Sequence, residues 1–177
     1  MATTKTTKAS KAMARKSTRV AAAPLDAADA ITLLENDHRA VEALFDQFEI
    51  ADDDEKKADL AAQICMALKV HTQIEEELFY PPAREETGDS DLLDEAVVEH
   101  MGAKTLIAQI EAMRPGQPLF NAKVKVLSEQ VRHHVEEEEN ELFPEVRAAG
   151  LDLAALGEKL AQRKAELLEQ LSPAATI

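Results

Sequence analysis

Residues 71–81, "HTQIEEELFYP", and residues 134–144, "HVEEEENELFP", align without a gap. Each places a histidine ten residues before a proline and a glutamate four residues after that histidine. His71 and His134 are 63 residues apart, as are Glu75 and Glu138, and His38 and His100 are 62 apart. A repeat of this length, carried on helical sequence, predicts two helical hairpins of like design that pack as one four-helix bundle with a pseudo-twofold relation.

Working outward, the apolar residues recur by threes and fours. Ile31, Leu34, Val41, Phe45 and Phe48 form one stripe, and Ile64, Leu68 and Leu78 a second. Leu93, Ala96, Ala103, Ile107 and Ile110 form a third, and Val124, Leu127, Val131 and Leu142 a fourth. This is the period of amphipathic helices. Each stripe is interrupted by polar residues on the face that should be buried. The interruptions are His38 in the first, His71 and Glu75 in the second, His100 in the third, and His134 and Glu138 in the fourth.

The segment breaks agree with this division. "ADDDEKKAD" separates the first two helices and "RPGQP" the third and fourth. Pro81 and Pro82 are expected to end the second helix and Pro144 the fourth, because proline lacks the amide donor a helix needs. A fifth helix, from about Asp152 to Leu171, carries Leu153, Leu156, Leu160, Leu167 and Leu171 and no histidine. It reads as a helix that covers the bundle or faces a partner. The expected organisation is a disordered basic tail at 1–25, a bundle at 26–148, and a C-terminal helix with a short tail at 149–177. The fold class is all-α.

Composition supports that class. Five glycines and 3% aromatics against 45% apolar residues favour helix over sheet. The single cysteine, Cys65, forbids an internal disulfide and suits a reducing, cytoplasmic setting. No apolar run approaches the roughly 20 residues of a membrane span. The net charge is −14, yet residues 1–25 hold six basic residues and no acid. The body is therefore strongly acidic, a poor surface for nucleic acid and a suitable host for cations. Only the basic tail offers a contact to nucleic acid.

The two histidines at 133 and 134 are about 100° apart on a helix, so one alone faces inward. The stripe and the repeat both select His134. His71 and Glu75, and His134 and Glu138, lie one turn apart on one helix face. Six polar groups thus converge: His38, His71, Glu75, His100, His134 and Glu138. Burying them unpaired costs roughly 1–3 kcal/mol each. Two divalent cations would compensate, each taking two histidines, with the glutamates between them. Imidazole with carboxylate suits iron, manganese or zinc. Glu76, Glu77, Glu136, Glu137 and Glu139 read mostly as solvated face, with Glu76 or Glu139 the candidates to support these donors, and Asp37 and Glu99 read as surface residues. Phe45, Phe48, Phe79, Tyr80 and Phe143 read as packing, with some of them as candidates to line the site and keep it dry. Zinc-protease HExxH, Gly-rich phosphate loops and the Glu-x-x-His pairs of ferritin-like bundles are absent.

At these residues the chain resembles the hemerythrin-like family in its HHE cation-binding branch, over about residues 30–146. The resemblance rests on "NDHRAVEALFDQF", "HTQIEEELFYP", "EHMGAK" and "HHVEEEENELFP". It implies an up-and-down four-helix bundle holding two non-haem iron ions on His38, His71, Glu75, His100, His134 and Glu138. Manganese and zinc are the alternatives to iron. Oxygen-carrying hemerythrins have a fifth histidine four residues after the third and a final aspartate; here those positions are Lys104 and Glu138. One terminal ligand is thus missing, for which water or His133 would substitute. The resemblance implies binding or sensing of O2, NO, reactive oxygen species or iron, with O2, NO or peroxide as small ligands and a redox or signalling protein as partner. A peroxide-decomposing or NO-reducing enzyme and a structural metal bundle are the alternatives.

Overall fold

The computed structural model describes Met1, residues 28–88 and residues 91–171. The expected tail at 1–25 and the last six residues lie outside the described residues, Met1 apart. Among the described residues there are five helical elements. Helix α1 is Ala30–Ile50. Helix α2 comprises Asp54–Ile74, a π-helical turn at Glu75–Phe79 and a final segment Tyr80–Thr87. Helix α3 is Asp91–Glu111. Helix α4 comprises Phe120–Glu137, a π-helical turn at Glu138–Leu142 and Phe143–Ala149. Helix α5 is Leu153–Leu171.

The first four form an up-and-down bundle in which α1 packs on α2, α2 on α3, α3 on α4 and α4 on α1. The four stripes face inward as the periodicity requires. His38, Glu75, His100 and Glu138 are at most 2% exposed and His71 and His134 are 7% exposed, so all six polar interruptions are buried. They lie between two apolar clusters. One is built around Ile31, Ile74, Phe79, Leu93 and Phe143, the other around Phe45, Ile64, Ile107, Phe120 and Leu127.

The prolines do not end their helices. α2 runs through Pro81 and Pro82 to Thr87, and α4 through Pro144 to Ala149. The reason lies in the two π-turns. Tyr80 N–H bonds to Glu75 O and Phe143 N–H to Glu138 O, each five residues back. This widened turn has already displaced the α-helical ladder where the prolines lack their donors, so the loss is absorbed there. Glycine then stops both helices: Gly88 and Gly150 adopt φ of 71° and 89°. The extra residue also shifts the second stripe, burying Phe79 and Tyr80 while Leu78 is half-buried.

Helix α5 docks on its own bundle, against α1 and α2, and buries Leu156, Leu160 and Leu167. Gly157 makes the close approach possible. A Cβ there would sit 2.5 Å from Ala28 O and 2.9 Å from Ala30 N.

Candidate metal centre

Each helix of the bundle delivers its histidine to the middle of the core. The nitrogens meet in two pairs. His38 Nε2 and His71 Nε2 are 3.1 Å apart, and so are His100 Nε2 and His134 Nε2. The two glutamates lie between the pairs. Glu75 Oε2 is 3.2 Å from His71 Nε2 and 3.5 Å from His100 Nε2. Glu138 Oε2 is 3.3 Å from His38 Nε2 and 3.5 Å from His134 Nε2. His38, His71, Glu75 and Glu138 form one set of converging donors, and Glu75, His100 and His134 another.

Three of the four outer nitrogens are hydrogen-bonded to carboxylates. His38 Nδ1 lies 2.8 Å from Glu139 Oε1, His100 Nδ1 3.0 Å from Glu76 Oε1, and His134 Nδ1 2.8 Å from Glu99 Oε2. Asp37 Oδ2 is 3.7 Å from His71 Nδ1, an ion-pair distance rather than a hydrogen bond. Nδ1–H donation to these carboxylates fixes the rings of His38, His100 and His134 and turns their Nε2 atoms to the centre, the arrangement that orients histidine toward a metal, whereas His71 Nδ1 makes no hydrogen bond among the described residues. Asp37 and Glu99 are therefore not the free surface residues that the sequence suggests. Each stands on the helix next to the ring it supports, His71 or His134, and reaches across. The basic residues lie one layer further out. Lys104 Nζ is 2.6 Å from Glu76 Oε1, Arg39 contacts Glu139, and Lys164 of α5 contacts Asp37. His133 does not complete the centre. It is exposed, with Nε2 3.4 Å from Glu137 Oε1.

The electrostatics show a site short of positive charge. Burial pushes the His71 imidazolium down, but Glu75, Asp37 and Glu138 outweigh it and lift it to about 10. His134 is likewise lifted against burial, to about 9, by Glu138, Glu99 and Glu75. Burial and the neighbouring His134 lower His100. Burial opposes ionisation of Glu138, but His134 and His38 bring it down to about 2. Among the described residues, both oxygens of Glu75, Oε2 of Glu138 and Nδ1 of His71 are buried without a hydrogen-bond partner. Orphaned acceptors of this kind are rare and expensive. Paired imidazole nitrogens, central carboxylates and unpartnered oxygens fit cations. Nothing softer is offered by the donor set, since Cys65 is buried in the apolar cluster around Phe45.

Against the histidines lies a small cavity of about 20 Å³, lined by His38, His71, His100, His134, Leu68 and Val131 among others. That is room for about one water-sized molecule.

Tyr80 is the member of the site that sequence reasoning left among packing residues. Its Oη donates to Glu138 Oε1 at 2.9 Å and lies 3.3 Å from His100 Nε2. An α-helix puts residue i+5 far round from residue i. The π-turn returns it to the face of Glu75. The available signal is the repeat itself, which pairs Tyr80 with Phe143 and so marks one added hydroxyl.

A four-helix bundle with two donor sets at its centre defines a cation-binding protein. Comparison with known proteins gives the family. Residues 29–146 match the hemerythrin HHE cation binding domain, and the chain belongs to that family. It is 35% identical over 111 residues to a DNA nickase from Nostoc sp. (strain PCC 7120), a match covering 63% of this chain and 31% of the relative. The match thus spans about a third of that relative's length. Its fold is similar to the crystal structure of a hemerythrin HHE cation binding domain-containing protein from Mycobacterium kansasii. The TM-score is 0.70 at 22% identity, covering 81% of this chain and 89% of the other. No helix among the described residues is long and apolar enough to cross a membrane.

Proposed function

We propose that the chain holds two non-haem iron ions on His38, His71, Glu75, His100, His134 and Glu138, and uses them to bind or sense O2, NO or peroxide. The observation that carries this is the cavity. It touches all four histidines and admits about one water-sized molecule. A diatomic or peroxide fits it; an organic substrate does not. Bound iron would supply the redox chemistry and the open position for the small ligand. The chain's own carboxylates hold the His38, His100 and His134 imidazoles through their Nδ1–H groups, and the closing helices place Glu75 and Glu138 between the two pairs. The apolar clusters on either side keep bulk water from the ligand.

The test is anaerobic reconstitution of the full chain with ferrous iron, followed by air. About two irons per chain and new charge-transfer absorption are the expected result. No iron uptake would overturn the proposal. A stable adduct with NO or peroxide supports a sensor or binding module. Steady peroxide decomposition or NO reduction supports the enzyme reading. A redox-silent chain that unfolds on chelation supports a structural metal.

A second reading comes from the Nostoc relative, whose name assigns it DNA nicking. In this chain the acid-free run of basic residues at 1–25 is the feature that would meet DNA. Plasmid relaxation by the iron-loaded chain, lost on deleting residues 1–23, would support it. Intact supercoiled plasmid would discard it.

A further inference from the structure

The repeat makes the two donor pairs closely alike, and one difference at their centre is a single oxygen atom. Phe143 stacks on His38 with ring centroids 5.8 Å apart and planes 4° apart. Its counterpart Tyr80 stacks on His100 at 5.6 Å and 25°. Both aromatic residues follow a π-turn that starts at a central glutamate. Tyr80 alone carries a hydroxyl, and Oη points into the donor group rather than away from it. It lies 3.3 Å from His100 Nε2 and 2.9 Å from Glu138 Oε1.

These separations are informative. Two donors bound to one ion at about 2.1 Å and at right angles lie about 3 Å apart. The nitrogens of each histidine pair meet that spacing at 3.1 Å. Tyr80 Oη meets it with respect to both His100 Nε2 and Glu138 Oε1. The His38–His71 pair has no such oxygen, because Phe143 occupies the equivalent place. The cavity is no competitor for this position. Its lining is formed by the histidines and by residues such as Val41, Leu68 and Val131, and Tyr80 is not among them.

We infer that Tyr80 Oη is a seventh protein ligand, bound to the metal of the His100–His134 pair. It occupies a terminal position that the histidines leave open. Lys104 does not fill that position, because its ammonium is engaged with Glu76. On metal binding an Oη–metal bond forms, the O–H bond breaks and the proton leaves to solvent, as for other protic ligands. The two metal positions of this chain are then chemically unequal. One is ligated by imidazole and carboxylate, the other by imidazole, carboxylate and phenolate. A phenolate oxygen is a hard anionic donor and favours the ferric state, so the His100–His134 iron is the harder of the two to reduce.

The inference rests on the proposal that the centre binds iron, and the experiment separates the two. Full-length chain is loaded with ferrous iron, oxidised, and examined for iron content, visible absorption and resonance Raman scattering. The chain contains a single tyrosine, so any tyrosinate ring vibration enhanced through an iron–phenolate transition belongs to Tyr80. The expected result is such vibrations in the wild type and their complete loss in Tyr80→Phe, with iron per chain unchanged. Bound iron without tyrosinate vibrations in the wild type would overturn this inference alone. Failure to bind iron at all would overturn it together with the function proposed above. The wild-type spectrum decides the matter even where Tyr80→Phe folds poorly.

Discussion

The first hairpin of the bundle, α1 with α2, and the second, α3 with α4, are built to one plan and finished differently. In both, the helix that opens the hairpin brings one histidine and the helix that closes it brings a histidine and a glutamate. Both closing helices widen into a π-turn at that glutamate. In both, carboxylates from neighbouring helices address the Nδ1 atoms. The finish differs in two places. Tyr80 puts a hydroxyl beside His100 where Phe143 puts only a ring beside His38. Helix α5 covers the first hairpin, and its Lys164 engages Asp37, whereas Glu99 faces the exposed His133. A duplicated scaffold fixes where donors stand; single side chains then set what stands beside each pair.

The largest expected effect tests whether the pairing of donors is right. His134→Ala removes one nitrogen of the second pair and leaves Glu138 with a buried charge less well matched. It should lose most bound metal, measured as metal per chain. His133→Ala, one residue earlier, should retain it, because that side chain is exposed. Equal losses would break the assigned register of α4 and with it the symmetry of the halves.

A second test concerns the cover on the first half. In Gly157→Ala the new methyl meets the backbone at Ala28 and Ala30, which cannot swing aside like a side chain. Overpacking of this kind costs about 1–3 kcal/mol. Thermal unfolding should move down by several degrees, while metal per chain in the folded protein stays constant. A Tm unchanged from wild type would show that α5 is not seated on α1 as described.

Smaller again is the contrast between the carboxylates that support the histidines of the two closing helices. Glu99 Oε2 lies at hydrogen-bond distance from His134 Nδ1, at 2.8 Å. Asp37 is 3.7 Å from His71 Nδ1 and is shared with Lys164. Loss of such a partner typically weakens metal binding about 10- to 100-fold. Glu99→Gln should fall in that range, read by competition with a chelator of known affinity, and Asp37→Asn should fall below it. The reverse order would mean that the Lys164 contact, rather than the hydrogen bond, fixes the ring.

These contrasts also bear on how much of the molecule is legible in its sequence. The bundle and its six central residues are readable because a helical stripe interrupted by histidine at repeated spacing admits few explanations. The continuation past Pro81 and Pro144 is not, because an α-helical rule has no place for a widened turn. The same turn hides Tyr80, which an unbroken helix would carry away from Glu75. Asp37 and Glu99 pass for surface residues because they sit one residue off the stripe, and only the neighbouring helix reveals what they reach. The stripe on α5 announces a buried face, but nothing local says which surface buries it.

The smallest expected effects lie at two helix starts, the opening helix of the first hairpin and the closing helix of the second. Helix α1 is capped by Asp29, whose Oδ1 accepts from Thr32 N–H at 2.8 Å and whose other oxygen faces Arg147. Helix α4 begins after Leu119, which holds φ of 73° with no side-chain cap. Asp29→Ala should cost about 1 kcal/mol, the usual value of such a cap. Leu119→Gly should change stability the other way by up to about 1 kcal/mol, since the left-handed conformation costs a branched side chain roughly 1–2 kcal/mol that glycine does not incur. The two are separated further by pH. Partial burial works against ionisation of Asp29, but Thr32 and Arg147 prevail and hold its carboxyl below the usual 3.8. A group whose folded pKa is depressed contributes its full stability above the unfolded value and loses it as pH falls through the folded one. The Asp29→Ala deficit, measured by urea unfolding, should therefore be constant from neutrality to about pH 5 and shrink below about pH 4. The Leu119→Gly gain involves no titrating group and should hold across the same range. A deficit at position 29 that ignores acid would assign its effect to helix propensity alone and leave the two helix starts equivalent.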